Sequence, residues 1–180
     1  MLAGGRVTLR PYFAGFTEPE LERLYRWGHD AEVLRLAGGT PLDMPFEDFK
    51  DLFDAQLPRH NTAHEQLFAI LDEAGALIGR TGLFAIDLRR GSAELGIVIG
   101  ERDHWGRGYG RDAVGALVDF GFGALGLERI SLFTFPTNRR AQRAFEAAGF
   151  RGLRQLRRFS LERGTHTELE MEIRRTQAAE

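Results

Sequence analysis

Apolar positions recur along this chain with two periods, and each change of period marks an element. Val7 and Leu9 alternate with Thr8 and Arg10, which predicts a first strand ending at Pro11. From Leu21 the spacing turns helical: Leu21, Leu24, Tyr25 and Gly28 form one stripe. Thr17 is its expected N-cap, with Pro19 just inside and Glu20 completing a capping box. Val33, Leu34 and Leu36 extend the stripe until Gly38-Gly39-Thr40-Pro41 breaks it. Phe46, Phe49, Leu52 and Phe53 predict a second helix over 45–57, and 58–64 reads as a polar loop. Strand patterns follow at 66–71, 76–87 and 92–100, separated by turns at Asp72–Gly75 and Arg89–Gly91. A helix over 108–125 is apolar on nearly every side, which predicts an interior position. A short strand over 129–135 leads to a helix capped by Thr137 or Asn138, with Ala141, Ala144, Phe145 and Ala148 inward and Gly149 at its end. Two strands close the chain, over 152–161 and 165–173. The last alternates Thr165, Thr167, Leu169, Met171 and Ile173 against His166, Glu168, Glu170 and Glu172. This order of elements predicts an α/β (α+β) domain with a mixed sheet.

Composition narrows the class. The 180 residues suit one domain spanning 1–180. No apolar run reaches the roughly 18 residues that cross a membrane, and the first residues lack a signal-peptide core, so a cytoplasmic protein is expected. The absence of cysteine excludes disulfides, thiol nucleophiles and thiolate metal sites. A net charge of -2 implies no nucleic-acid partner. Acids dominate from Glu18 to Asp54 and arginines from Arg102 to Arg163. Solvated helix faces account for this; so does an acidic side for a cationic substrate facing a basic side for an anionic one.

The candidate chemistry lies between Glu94 and Gly110. A strand runs into alternating glycines at 106, 108 and 110, and a long helix starts at once. Amides at a helix start have no partner within the helix, and the dipole favours an anion there. The dinucleotide fingerprint fails, because Arg111 stands at the position of its third glycine and the next strand ends in Phe135-Pro136-Thr137 rather than an acid. The Gly-Lys-Ser/Thr of a nucleoside-triphosphate loop is missing. A tight turn packing a helix on a sheet also accounts for the glycines alone.

Read together with Asn138-Arg-Arg-Ala-Gln-Arg-Ala-Phe-Glu-Ala-Ala-Gly-Phe150, the stretch Glu94–Gly110 resembles the GNAT superfamily of acyl-CoA-dependent N-acetyltransferases. Trp105-Gly-Arg-Gly-Tyr-Gly110 and Leu9-Arg10-Pro11 are similar to its ribosomal-protein N-terminal acetyltransferase branch, which includes polyamine acetyltransferases. The resemblance implies a mostly antiparallel sheet of about six or seven strands with about four helices. It implies acetyl-CoA as co-substrate, no metal, an amine partner that is a protein N-terminus or a small cationic amine, and a monomer or homodimer. The amides of Arg107 to Gly110 would hold the pyrophosphate, with Arg102, Trp105, Gly106, Tyr109, Arg111, Asn138, Arg140 and Arg143 as further cofactor-binding residues. Arg107, Arg111 and the arginines after Asn138 also read as solvated charges, and Asn138 as a plain N-cap.

By the same resemblance, a strand amide near Val98 polarises the thioester carbonyl, and Glu94 is the general base. Glu94 and Val98 are even-numbered positions of one strand and share a face. A surface glutamate paired with Arg89 or Arg90 is the plain alternative. The family's acid is a tyrosine where this chain has Phe145, and Ala141 stands where branch members often carry serine. A CoA-binding sensor or scaffold without turnover is therefore the alternative function. His60 and His64 lie in a loop and make a poor metal pair, and His104 reads as a surface residue.

Overall fold

The computed structural model describes residues 1–160 and 164–176. Strands β1 (Leu2–Gly4) and β2 (Val7–Pro11) form a hairpin. Helices α1 (Glu18–Trp27), α2 (Ala31–Ala37) and α3 (Phe46–Gln56) follow. Then come β3 (Gln66–Leu71), β4 (Leu77–Asp87), β5 (Ser92–Ile99), α4 (Tyr109–Gly123), β6 (Arg129–Thr134), α5 (Arg139–Ala147), β7 (Arg151–Ser160) and β8 (Gly164–Arg174). Among the described residues the sheet has eight strands in the order β1-β2-β3-β4-β5-β6-β8-β7. All neighbours are antiparallel except β5 and β6, which run parallel.

Two counts differ from expectation. The sheet exceeds six or seven strands because β1 is only three residues long and carries too little alternation to be seen. Among the described residues there are five α-helices rather than about four, because the first expected helix is two. Thr17 and Glu20 do form the capping box of α1. Asp30 then takes the amides of Glu32 and Val33 on its side chain, which starts a new helix instead of continuing the old one. The expected end at Leu161 of the strand pattern over 152–161 lies outside the described residues.

The sheet is covered on both faces. Helices α4 and α5 cover one, with Leu9, Ile70, Ile78, Leu83, Val114, Leu117, Ile130, Leu132 and Met171 essentially inaccessible. Helix α4 is an interior helix, as its all-round apolar pattern predicts. The other face packs Ala69, Leu71 and Leu77 against Leu21, Leu24, Trp27 and Val33. Strand β3 feeds both cores by strict alternation, Phe68 and Ile70 one way and Ala69 and Leu71 the other. Trp27 lies flat on Gly100, where any Cβ would overlap its indole. That contact seats α1 against the end of β5.

The polar face of β8 is not a solvent face. Glu170 is buried and bonded to Arg154 of β7 at 2.8 Å. Glu168 lies 3.1 Å from Arg158, and Glu172 lies 2.8 Å from Arg174.

Candidate active site

The parallel pairing of β5 with β6 covers only Ser92–Glu94 against Arg129–Ser131. Beyond it β5 continues with β4 alone and β6 with β8 alone, so the two strands splay into a wedge. Glu94 stands at the apex and the glycine loop at the mouth.

The hydrogen-bonding direction of β5 follows from three contacts. The Gly100 amide donates to Ile78 O at 2.9 Å, and Thr81 Oγ1 donates to Gly96 O at 2.8 Å, so even-numbered residues turn their polar groups to β4. Trp105 Nε1 donates to Ile99 O at 2.8 Å from the other side. The register is unbroken from Glu94 to Ile99. The wedge is therefore lined by the backbones of Ile97 and Ile99, and the Val98 amide is turned away into the β4 ladder. Expectation placed the donor near Val98, and the amides nearest to it that face the wedge are those of Ile97 and Ile99. Glu94 and Val98 do share a face, the one covered by α1–α3.

The loop leaves β5 through a 3-10 turn, Arg102–His104, and Gly106 and Gly108 take φ of 71° and 93°. Gly108 is the N-cap of the 15-residue α4. A Cβ on Gly106 meets nothing within 4 Å, so the loop faces open space. A groove of about 340 Å³ runs from there between β5 and α5, lined among others by Val98, Trp105, Gly106, Gly108, Gly110, Arg111, Asn138, Arg140 and Arg143. Left-handed glycines, a helix start and three arginines suit a polyphosphate. Arg140 stacks on Trp105 at 3.7 Å from the ring centroid, and burial lowers its pKa. Asn138 Oδ1 accepts from the Ala141 amide at 3.2 Å, so it caps α5 from a buried position that also borders the groove.

Three expected cofactor side chains point elsewhere. Arg102 is ion-paired with Asp30, Arg107 donates to Asp103 O at 3.2 Å, and Tyr109 is buried in the core. Their partners come from distant or irregular segments that loop spacing does not report. Tyr109 belongs to a brace behind the loop. Its hydroxyl donates to Glu73 at 2.8 Å, and Arg6 joins Glu73 at 2.6 Å and the Arg107 carbonyl at 2.8 Å. Its own backbone amide, the Tyr109 hydroxyl and Arg6 hold the Glu73 carboxyl down at about 2. His104 contacts Asp72 at 3.2 Å alongside. Nothing in the sequence marked Arg6 or Glu73, which lie on a hairpin and a turn.

On the α1–α3 side the wedge opens into a cavity of about 760 Å³. Its acids are Glu65, Glu94 and Glu168. The run from Glu18 to Asp54 contributes none. Those acids serve other partners: Glu20 pairs with Arg10 at 2.9 Å, Glu18 with Lys50 at 3.0 Å and Glu32 with Arg35 at 2.7 Å. Glu94 opens to the cavity and makes no hydrogen bond or ion pair among the described residues; Arg90 pairs with Asp87 instead. Surrounding protein raises the Glu94 pKa, with Arg158 lowering and Glu168 raising it further. His166 turns Nδ1 to Gly164 O at 3.0 Å and Nε2 to Glu168 at 3.2 Å. Phe145 is buried between groove and cavity and supplies no proton. His60 is held by Glu65 at 2.8 Å, and His64 faces Ile86 O at 3.2 Å.

Comparison with known proteins agrees with this geometry. Residues 6–151 match the acetyltransferase (GNAT) domain family. An uncharacterized N-acetyltransferase of Bacillus licheniformis, p20, is 42% identical over 69 residues, 38% of each chain. A spermidine N(1)-acetyltransferase of Vibrio cholerae is 30% identical over 106 residues, 59% of this chain and 61% of that one. The chain thus matches less than two thirds of either relative's length. The crystal structure of spermidine N-acetyltransferase from Vibrio cholerae in complex with CoA and spermine superimposes with a TM-score of 0.76 at 24% identity, over 94% of this chain and 95% of that one. That likeness concerns the fold. With a splayed sheet, an open glycine loop at a helix start and a family match over most of its length, this chain belongs to the GNAT acetyltransferases.

Proposed function

We propose that the protein transfers an acetyl group from acetyl-CoA to a primary amine by direct attack within a ternary complex. The observation that carries this reading is the wedge, which joins a polyphosphate groove to a cavity holding an unpaired carboxylate. In this reading the loop amides from Arg107 to Gly110, with Arg111, Arg140 and Arg143, hold the phosphates. The Ile97 or Ile99 amide donates to the thioester oxygen as it gains charge. The amine, freed of its proton by Glu94 or a water beside it, forms the C–N bond as the C–S bond breaks. The electron pair leaves on sulfur, and solvent supplies its proton, since Phe145 has none. The acceptor is a protein N-terminus or a small amine.

Thiol release from acetyl-CoA with a panel of amines tests the reading, alongside calorimetry with CoA. Expected are CoA binding and amine-dependent thiol release that Glu94→Gln reduces without weakening CoA binding. A second reading, a CoA-binding module without turnover, rests on the buried Phe145 in place of an acid. CoA binding without release on any amine selects it, and no CoA binding refutes both.

A further inference from the structure

The amine cavity has a second polar end, far from Glu94. Arg80 of β4 pairs in register with Val98, so its side chain lies on the same sheet face as Glu94 and Val98. It borders the cavity, and no carboxylate among the described residues forms an ion pair with it. Its polar neighbour is the hydroxyl of Tyr12, a residue buried under the same wall. Glu65, the nearby acid, is engaged by His60 at 2.8 Å. At the opposite end Glu168 is engaged by Arg158 at 3.1 Å and His166 at 3.2 Å. Glu94 is thus the carboxylate left for an amine, and Arg80 is a cation left for an anion. Phenylalanines 49, 53 and 84 wall the space between them.

This balance disfavours a polycation. A polyamine is served best by an acid near each ammonium, and here Glu65 and Glu168 are already engaged and a guanidinium lies at the far end. Four residues of strand and one strand spacing put the Glu94 and Arg80 backbones about 14 Å apart. Both side chains line the cavity, and that separation less their own lengths suits an amino acid or dipeptide. From this we infer that the acceptor is an amine whose own molecule carries a carboxylate, with the carboxylate held by Arg80 and the amine presented at Glu94. The inference rests on the acetyl-transfer reading and specifies its substrate class.

The test compares kcat/KM for free amino acids and dipeptides, their C-terminal amides, and spermidine. Acids are expected to exceed their amides about tenfold or more, the worth of one charge-assisted bidentate contact. Arg80→Gln should bring that ratio close to one, mainly through KM, and Arg80→Lys should restore part of it. Spermidine turned over as well as the best acid, or an acid-to-amide ratio that Arg80→Gln leaves intact, overturns the inference while acetyl transfer stands. Absence of transfer to every amine overturns both.

Discussion

Glu94 is the group whose protonation the proposed chemistry reads. Partial desolvation by the surrounding protein raises its pKa, so the base form is lost at a higher pH than for an ordinary carboxylate near 4.3. The expected kcat/KM profile falls as pH drops through that raised value, and Glu94→Gln removes this acid limb along with most turnover. A limb that survives the substitution assigns it to another group. Asn138 gives a second case, because its side chain caps α5 beside the groove. Asn138→Ala should cost about 0.5–2 kcal/mol of stability, measured by denaturant unfolding. At this level the sequence was legible where a residue acts through its own backbone, as Gly106 and Gly108 do, or on a backbone group a few positions away, as Asn138 does. It was illegible where a side chain's partner comes from elsewhere. Arg102 goes to Asp30, seventy-two positions away, and Arg80 became visible only through its register with Val98.

The glycine loop depends on parts that are not in it. Arg6 from the first hairpin and Glu73 from the β3–β4 turn hold the Arg107 carbonyl and Tyr109, fixing the direction in which the loop amides point. Glu73→Gln should therefore raise the Kd for CoA severalfold, the worth of one or two hydrogen bonds, with calorimetry as the measure. The same carboxylate carries a pH signature. Its folded pKa, about 2, is below its unfolded value, so its contribution is complete above about pH 4.5 and disappears as pH falls toward 2. Wild-type Tm should drop more steeply across that window than Tm of Glu73→Gln. Periodicity located every long element, because a helix stripe or a strand alternation is a local property. It missed β1 and the α1–α2 break, where three residues and one aspartate side chain decide the outcome. The alternation of β8 does not show that its glutamate face is covered, since the arginines that cover it lie largely on β7.

The parallel contact between β5 and β6 makes this sheet a site, and no local pattern encodes it. It arises because α4 must cross the sheet between two strands of the same direction, and it ends after three residue pairs. The wedge is thus held open by the packing of α4 and α5 below and α1–α3 above. Both cores share β3 and β4, so they should unfold together. Leu117 on α4 is fully buried, and Leu117→Ala should cost about 2–5 kcal/mol. For a chain of this size each kcal/mol lowers Tm by about 2–4 °C. CoA at a hundred times its Kd should return about 2.7 kcal/mol to wild type and variant alike, because Leu117 touches the ligand groove only through α4. Scanning calorimetry of both proteins with and without CoA checks this. A single transition, shifted by substitution and ligand independently, is the expected result. A ligand shift that vanishes in Leu117→Ala would mean that the α4 core sets the width of the wedge directly.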